Sequence, residues 1–245
     1  MARFFISSEN VTESQITISG NDAFHIARSL RMAVGDEVTV CDEKGTEYLT
    51  RLTRIRDDEC ICEIISNKQG MTESPVDITL YMAYPKGDKL ETVVQKAVEL
   101  GASRIVPFES SRCIKRPSED KADKINERLS RIAEEAAKQC GRSKLPQVSK
   151  TMRFSQLTGE IKEYDLTLFC YEGEGAVSLK KILASYGRSD GKIAVIIGSE
   201  GGFSKEEAAS IISAGAECVN LGPRILRCET APDYCLSAIS YHFEL

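Results

Sequence analysis

Histidine is almost absent from these 245 residues, which hold only His25 and His242. A histidine-rich metal site or a Ser-His-Asp triad would have to use one of those two. His25 falls in a short amphipathic segment and His242 three residues from the end, where packed or surface roles suit them, so no metal is expected. No C-x-x-C pair occurs among the nine cysteines, an odd number. Reduced thiols fit that pattern better than a disulfide framework. Cys60 and Cys62 alternate within an apparent strand and should be small core residues. No apolar stretch follows a basic start in MARFFISSENVTES, so no signal peptide is expected. No apolar run approaches the roughly 18 residues that suggest a spanning helix. The expected setting is cytoplasmic, with no membrane. Also missing are G-x-x-x-x-G-K-[ST], H-E-x-x-H and a nucleophile elbow.

Positive charge is not in excess either, since the net charge is −5. That argues mildly against nucleic acid, but local distribution decides such binding. Arg112, Lys115 and Arg116 form one basic cluster, and Lys138, Arg142 and Lys144 a second about a helix-length later. Arg28, Arg31, Arg51, Arg54 and Arg56 enrich the amino-terminal part. Each cluster taken singly reads as a solvated face. With 42% hydrophobic and 28% charged residues the chain is an ordinary globular one, long enough for a large domain with a small one appended.

Residues 1 to about 68 read as a small β module with strands over 3–6, 15–19, 37–41, 47–55 and 59–65. Asn21 or Asp22 caps one helix, lined on one side by Ala23, Ile26, Ala27 and Leu30. Five short strands and a helix suggest a small barrel. The polar stretch 67–75, with Gly70 and Pro75, reads as a linker. From Asp77 strands alternate with helices, which predicts a mainly parallel α/β sheet with helices on both faces. Strands are expected over 78–83, 104–108, 166–171, 193–197 and 218–221, with 166–171 and 193–197 buried on both faces. One helix presents Leu90, Val93, Val94, Ala97 and Val98 and stops at Gly101. A second runs over 123–140 with Leu129, Ile132, Ala133, Ala136 and Cys140 on its apolar side, and Gly141 ends it. Ser204 and Glu207 form a capping box, and Thr230 caps a final helix with Pro232 in its first turn.

Ligands of such sheets bind in loops at the carboxyl ends of strands. Three loops qualify: 172–175, 198–204 and 222–231. The first lacks the third glycine and early position of a dinucleotide fingerprint. The second brings three glycines between a buried strand and a capped helix, where bare backbone can approach a ligand. The third sets Ile225 and Leu226 between Arg224 and Arg227, as a pocket wall with charged rims would.

The paired segments 197–204 (IGSEGGFS) and 221–231 (LGPRILRCETA) resemble the signature of the ribosomal RNA small subunit methyltransferase E family. Segments 86–91, 99–101, 136–142 and 34–36 resemble that family as well, so the likeness spans nearly the whole chain. Ser199 stands where the family commonly has proline, and Cys228 where it commonly has threonine. The resemblance implies a SPOUT methyltransferase: a trefoil-knotted parallel sheet over 75–245, working as a homodimer, with a PUA-like RNA-binding barrel over 1–70. The implied reaction moves a methyl group from S-adenosylmethionine to N3 of a uridine near the 3′ end of 16S rRNA, in the assembled small ribosomal subunit. General topology rules alone would not predict a knot.

By the same resemblance the cofactor would be held by Leu168, Tyr171, Glu172, Ile197, Gly198, Glu200, Gly201, Gly202, Leu221, Gly222, Arg224, Ile225, Leu226, Thr230 and Ala231. RNA would meet Arg28, Arg31, Arg112, Lys115, Arg116 and Arg142. Arg227 is the first candidate to stabilise charge developing on the uracil, with Arg224 second. Glu229 or Glu200 would accept the N3 proton or orient an arginine. Two other readings stay open: a SPOUT enzyme that methylates a ribose 2′-hydroxyl, and a non-catalytic RNA-binding protein on the same fold. The first typically carries Ser-Leu-Asn where this chain has 224–227, RILR.

Overall fold

Period-two burial organises the amino-terminal strands. In the computed structural model, which describes residues 1–114, 119–173 and 175–245, β1 (Arg3–Phe5), β2 (Gln15–Ser19), β3 (Glu37–Cys41), β4 (Thr46–Ile55) and β5 (Glu59–Gln69) form one sheet in the order β1-β3-β4-β5-β2. The β1–β3 pair is parallel and the others antiparallel. Alternate side chains Ile16, Ile18, Val38, Val40, Cys60 and Cys62 point into one core with Phe4 and Leu52, so both cysteines are core residues as expected. No pairing joins β1 to β2 among the described residues, so the sheet is a curled half-barrel rather than a closed barrel.

Two local expectations need correction here. The segment 67–69 is not linker but the end of β5, because the long β4 still offers backbone partners there: Thr46 pairs with Gln69 and Tyr48 with Asn67. The helix α1 (Asn21–Phe24) widens after one turn, with the Leu30 N–H donating to the His25 carbonyl at 2.9 Å. That extra residue per turn rotates Leu30 out of the core, leaving it exposed.

The chain divides into two units, Met1–Glu73 with Ala137–Leu145 and Ser74–Ala136 with Pro146–Leu245. The second is built on an eight-stranded sheet in which every pair is parallel. Its elements are β6 (Val76–Ala83), α2 (Lys89–Glu99), β7 (Arg104–Glu109), α3 (Glu119–Cys140, of which the residues from Ala137 on count with the first unit), β8 (Gln147–Val148), β9 (Met152–Arg153), α4 (Phe154–Glu160) and β10 (Leu166–Cys170). There follow β11 (Val177–Ser178), α5 (Leu179–Tyr186), β12 (Gly191–Ile197), α6 (Lys205–Ser213), β13 (Glu217–Asn220) and α7 (Thr230–Glu244). The order is β11-β13-β10-β12-β6-β7-β8, with β9 paired to β7. From β10 the chain runs out to the edge strand β11, returns past β10 to β12, then crosses β10 again to reach β13 between β11 and β10. The carboxyl ends of β10, β12 and β13 are thereby neighbours, and the three loops they feed converge.

Burial explains the central strands: four of the five residues of β10 and the last five of β12 are buried, as continuous apolar runs require. The α2 face of Leu90, Val93, Val94, Ala97 and Val98 is buried as the periodicity predicts. Helix α3 begins at Glu119, before the expected Asp123, and Cys140 at its end is exposed rather than packed. Both halves of the Ser204/Glu207 capping box form. The cap of α7 is Glu229 instead of Thr230, which starts the helix proper.

Candidate active site

Where these loops converge lies a cavity of about 580 Å³. Beneath it is an aromatic floor. Phe203 is buried and meets Phe169 edge-on at 4.9 Å between centroids, and Phe169 stacks on Tyr171 at 5.1 Å. The loop after β12 is pulled into a tight turn by the Gly202 N–H, which donates to the Ser199 carbonyl at 2.9 Å. Gly202 has φ +64°, a left-handed conformation that favours glycine. At Gly198 a Cβ would lie 2.9 Å from the Phe203 ring and 3.2 Å from Gly202 Cα, so only glycine lets strand, turn and aromatic floor close together.

Charge gathers on the rim. Lys89, at the start of α2, places Nζ 2.9 Å from Glu200 Oε1 and 3.1 Å from Glu229 Oε2. The Lys86 N–H also donates to Glu200, at 3.2 Å. Hydrogen bonds to Glu200 and Glu229 raise the Lys89 ammonium above its usual range. Burial would push Glu200 up, but the Lys89 hydrogen bond and backbone N–H groups bring it below the usual carboxylate range. Glu229 is likewise lowered against its burial, by backbone N–H, the Cys228 thiol and Lys89. Cys228 is buried and its Sγ lies 3.2 Å from Glu229 Oε2. Burial first, then that contact, pushes the thiol up to about 12, so it remains a neutral donor. Arg224 and Arg227 also line the cavity, are exposed, and have no ion pair or side-chain hydrogen bond among the described residues.

The residues named from the sequence divide on this geometry. Tyr171, Glu172, Ile197, Gly198, Glu200, Gly202, Leu221, Arg224, Ile225, Leu226 and Ala231 line the cavity, as do Arg227 and Glu229. Leu168, Gly201, Gly222 and Thr230 do not. Leu168 is wholly buried within β10, and Gly201 turns its Cβ position toward Arg112, whose Cβ and carbonyl oxygen would lie 3.0 Å away. Arg112 Nη1 donates to the Gly201 carbonyl at 3.1 Å, so this basic residue braces the glycine turn. Lys115 and Arg116 lie outside the described residues, as does Glu174 of the first loop.

The remaining basic residues belong to the first unit. Arg28 pairs with the exposed Asp57, and Arg31 is exposed with φ +52°. Arg142 is a correction: it cannot serve as an RNA contact, because its side chain is 5% exposed and its guanidinium is held by Glu73. Lys138 is bound to Asp22 at 2.8 Å, so two members of the expected second basic cluster are held internally while Lys144 stays exposed.

Sequence reasoning missed Lys89, although it sits inside a segment singled out for family likeness. Its partners lie 111 and 140 residues away, and nothing local marks it. It also missed Ser199, whose Oγ is buried at the cavity with no hydrogen-bond partner among the described residues.

Comparison with known proteins identifies the family. The family model of an RNA methyltransferase domain matches residues 72–240, and that of an RNA methyltransferase PUA domain matches residues 18–65. The chain is 35% identical to the ribosomal RNA small subunit methyltransferase E of Bacillus subtilis, over 100% of this chain and 98% of that protein. It is 29% identical to the protein of the same name from Synechocystis, over 97% of this chain and 77% of the relative. The crystal structure of the Neisseria gonorrhoeae ribosomal RNA small subunit methyltransferase E, bound to S-adenosyl methionine, matches with a TM-score of 0.85 at 30% identity, covering 98% of this chain and 97% of that one. This chain belongs to the ribosomal RNA small subunit methyltransferase E family.

Proposed function

We propose that the protein uses S-adenosylmethionine to methylate N3 of one uridine near the 3′ end of 16S rRNA, within the assembled small ribosomal subunit. The observation that carries this reading is a cavity closed below by glycine backbone and aromatics, with Arg227 on its rim and unpaired among the described residues. The residues fit the cofactor. The volume is that of a typical small-ligand site, the orphaned Ser199 Oγ offers a buried polar group, and Glu172 can accept from ribose hydroxyls. Backbone groups around Gly198, Gly202, Leu221 and Leu226 would grip the adenine and ribose.

When bound, S-adenosylmethionine supplies an activated methyl group on a sulfonium. The chain's own task is to orient a uracil in line with it and to manage one proton. Arg227 stabilises the negative charge that grows on the base as N3–H is lost, which an unengaged guanidinium can do without first breaking a bond. Glu200 and Glu229, both ionised at neutral pH, stand on the same rim to accept that proton. The base must be unpaired and turned outward to reach them.

Residues 1–70 act as the PUA-like RNA-binding module and 75–245 as the catalytic one, with Arg28, Arg31 and Arg112 as RNA contacts. The trefoil knot is supported by the strand crossing over β10 and by the return of α7 to pack on α2, α5 and β12. A homodimer is supported by exposed Ile225, Tyr234 and Tyr241, the last two seven residues apart on α7. No described helix is long and apolar enough to cross a membrane, and a ribosomal substrate would place the protein in the cytoplasm. Titration calorimetry tests the cofactor assignment: micromolar-range binding of S-adenosylmethionine is expected. A protein that binds none would require a different ligand for this cavity.

A further inference from the structure

We infer that Lys89 is a positioning residue for methyl transfer: its ammonium ties the loop after β12 to the loop before α7 by bridging Glu200 and Glu229, and so keeps Arg227 free for the base. The inference rests on the function proposed above. It starts from a misplaced charge. Lys89 is the first residue of the 11-residue α2, where the helix dipole favours acids and disfavours cations. Asp88 at the cap makes no side-chain cap bond, although Glu91 puts one negative charge in the first turn. Residues that break a local rule in this way are expected at functional or strained sites. The geometry then supplies the compensation, with two carboxylates from loops distant in sequence at 2.9 and 3.1 Å.

Stability does not account for the bridge. About a third of the Lys89 side chain is exposed, and ion pairs open to water contribute little. What the bridge does is occupy Glu229. The charged groups facing this rim are Lys89 from α2, Glu172 from the loop after β10, Glu200, and Arg224, Arg227 and Glu229 from the last loop, with Cys228 as a neutral thiol. Without Lys89 the two glutamates face an unrelieved like charge. One takes up a proton at higher pH than before, and the other becomes a partner for Arg227, two residues from Glu229. The sign follows: Lys89 holds both carboxyls low, so removing it moves their titration upward.

The test compares Lys89→Met and Lys89→Arg with the wild type. In cofactor-free protein, tryptic cleavage after Arg224 and Arg227 should run several-fold faster in Lys89→Met while the melting temperature hardly moves. With cofactor and small subunits, kcat should fall by roughly tenfold to a hundredfold with KM for the subunit unchanged, and the acid limb of kcat should shift to higher pH. Lys89→Arg should recover most of each effect, since a guanidinium can span the same two carboxylates. Wild-type cleavage rates and an unmoved pH profile in Lys89→Met would overturn the inference. So would a loss of rate that Lys89→Arg leaves unrepaired. If instead the wild type itself transfers no methyl group but Lys89→Met still loosens the loop, the proposed function fails and with it the role in methyl transfer, while the tie between the two loops stands.

Discussion

Arg142 lies in the first unit with its side chain 5% exposed, its Nε 3.0 and 3.1 Å from the two oxygens of Glu73. Glu73 in turn accepts from the Ser143 N–H at 2.9 Å, the Ser143 hydroxyl and the Lys144 N–H. Arg227, in the second unit, faces a cavity of about 580 Å³ and meets no carboxylate among the described residues. The same guanidinium thus does opposite work. Buried and answered by a charged partner, it fixes a loop; open and unanswered, it is ready for charge that appears only during reaction. Lys89 falls between these limits, answered twice but at a wet rim, and its role is correspondingly to place other groups.

The sharpest way to break this comparison is Arg227→Ala. Loss of a preorganised charge at the reacting atom should lower kcat by about 10²–10³ while leaving cofactor affinity within a few-fold of wild type. Steady-state kinetics beside calorimetry separates the two. Arg142→Met should do the reverse, costing about 3 kcal/mol of stability because the half-buried Glu73 is left without its cation, a loss visible in urea denaturation. Folded Arg142→Met protein should still bind S-adenosylmethionine.

Acid sharpens the contrast further. Burial pushes the Glu73 carboxyl up, but Arg142 and the backbone N–H groups of Lys144 and Ser143 bring it below its ordinary 4.5. A depressed carboxyl contributes stability above its unfolded pKa and loses it as the pH falls toward the folded one. Wild-type protein should therefore lose stability as the pH drops below about 4.5, and Arg142→Met should lose less over that range. Urea midpoints measured at a series of acidic pH values would show whether the two curves converge. The smallest effect is expected at Cys228: Cys228→Thr keeps a donor for Glu229 and should leave kcat nearly unchanged, whereas Cys228→Ala should cost a few-fold.

The longer strands of the second unit were legible, β10 and β12 above all because both their faces are buried and their residues apolar without interruption, whereas the two-residue β8, β9 and β11 are too short to show a pattern. The cavity loops were legible through glycines and the Arg224–Arg227 pair, which stand out in any reading of the chain. What was not legible depends on partners far away in sequence. Residues 67–69 look like linker until β4 supplies their backbone bonds, and α5 passes unnoticed although Ser178 caps it and Gly187 ends it. Arg142 resembles a surface base until Glu73 closes over it, and Lys89 resembles a solubilising charge until two distant loops bring their carboxylates. Spacing finds elements and turns, but it does not report which charges are answered.

One measurement bears most directly on the methylation of uracil at this cavity. Purified protein would be incubated with methyl-labelled S-adenosylmethionine and small ribosomal subunits from a strain lacking the endogenous enzyme, and the RNA digested to nucleosides. Label in 3-methyluridine, lost in Arg227→Ala, is the predicted result. Label in a 2′-O-methyl nucleoside, or none from a protein that binds the cofactor, would contradict the account.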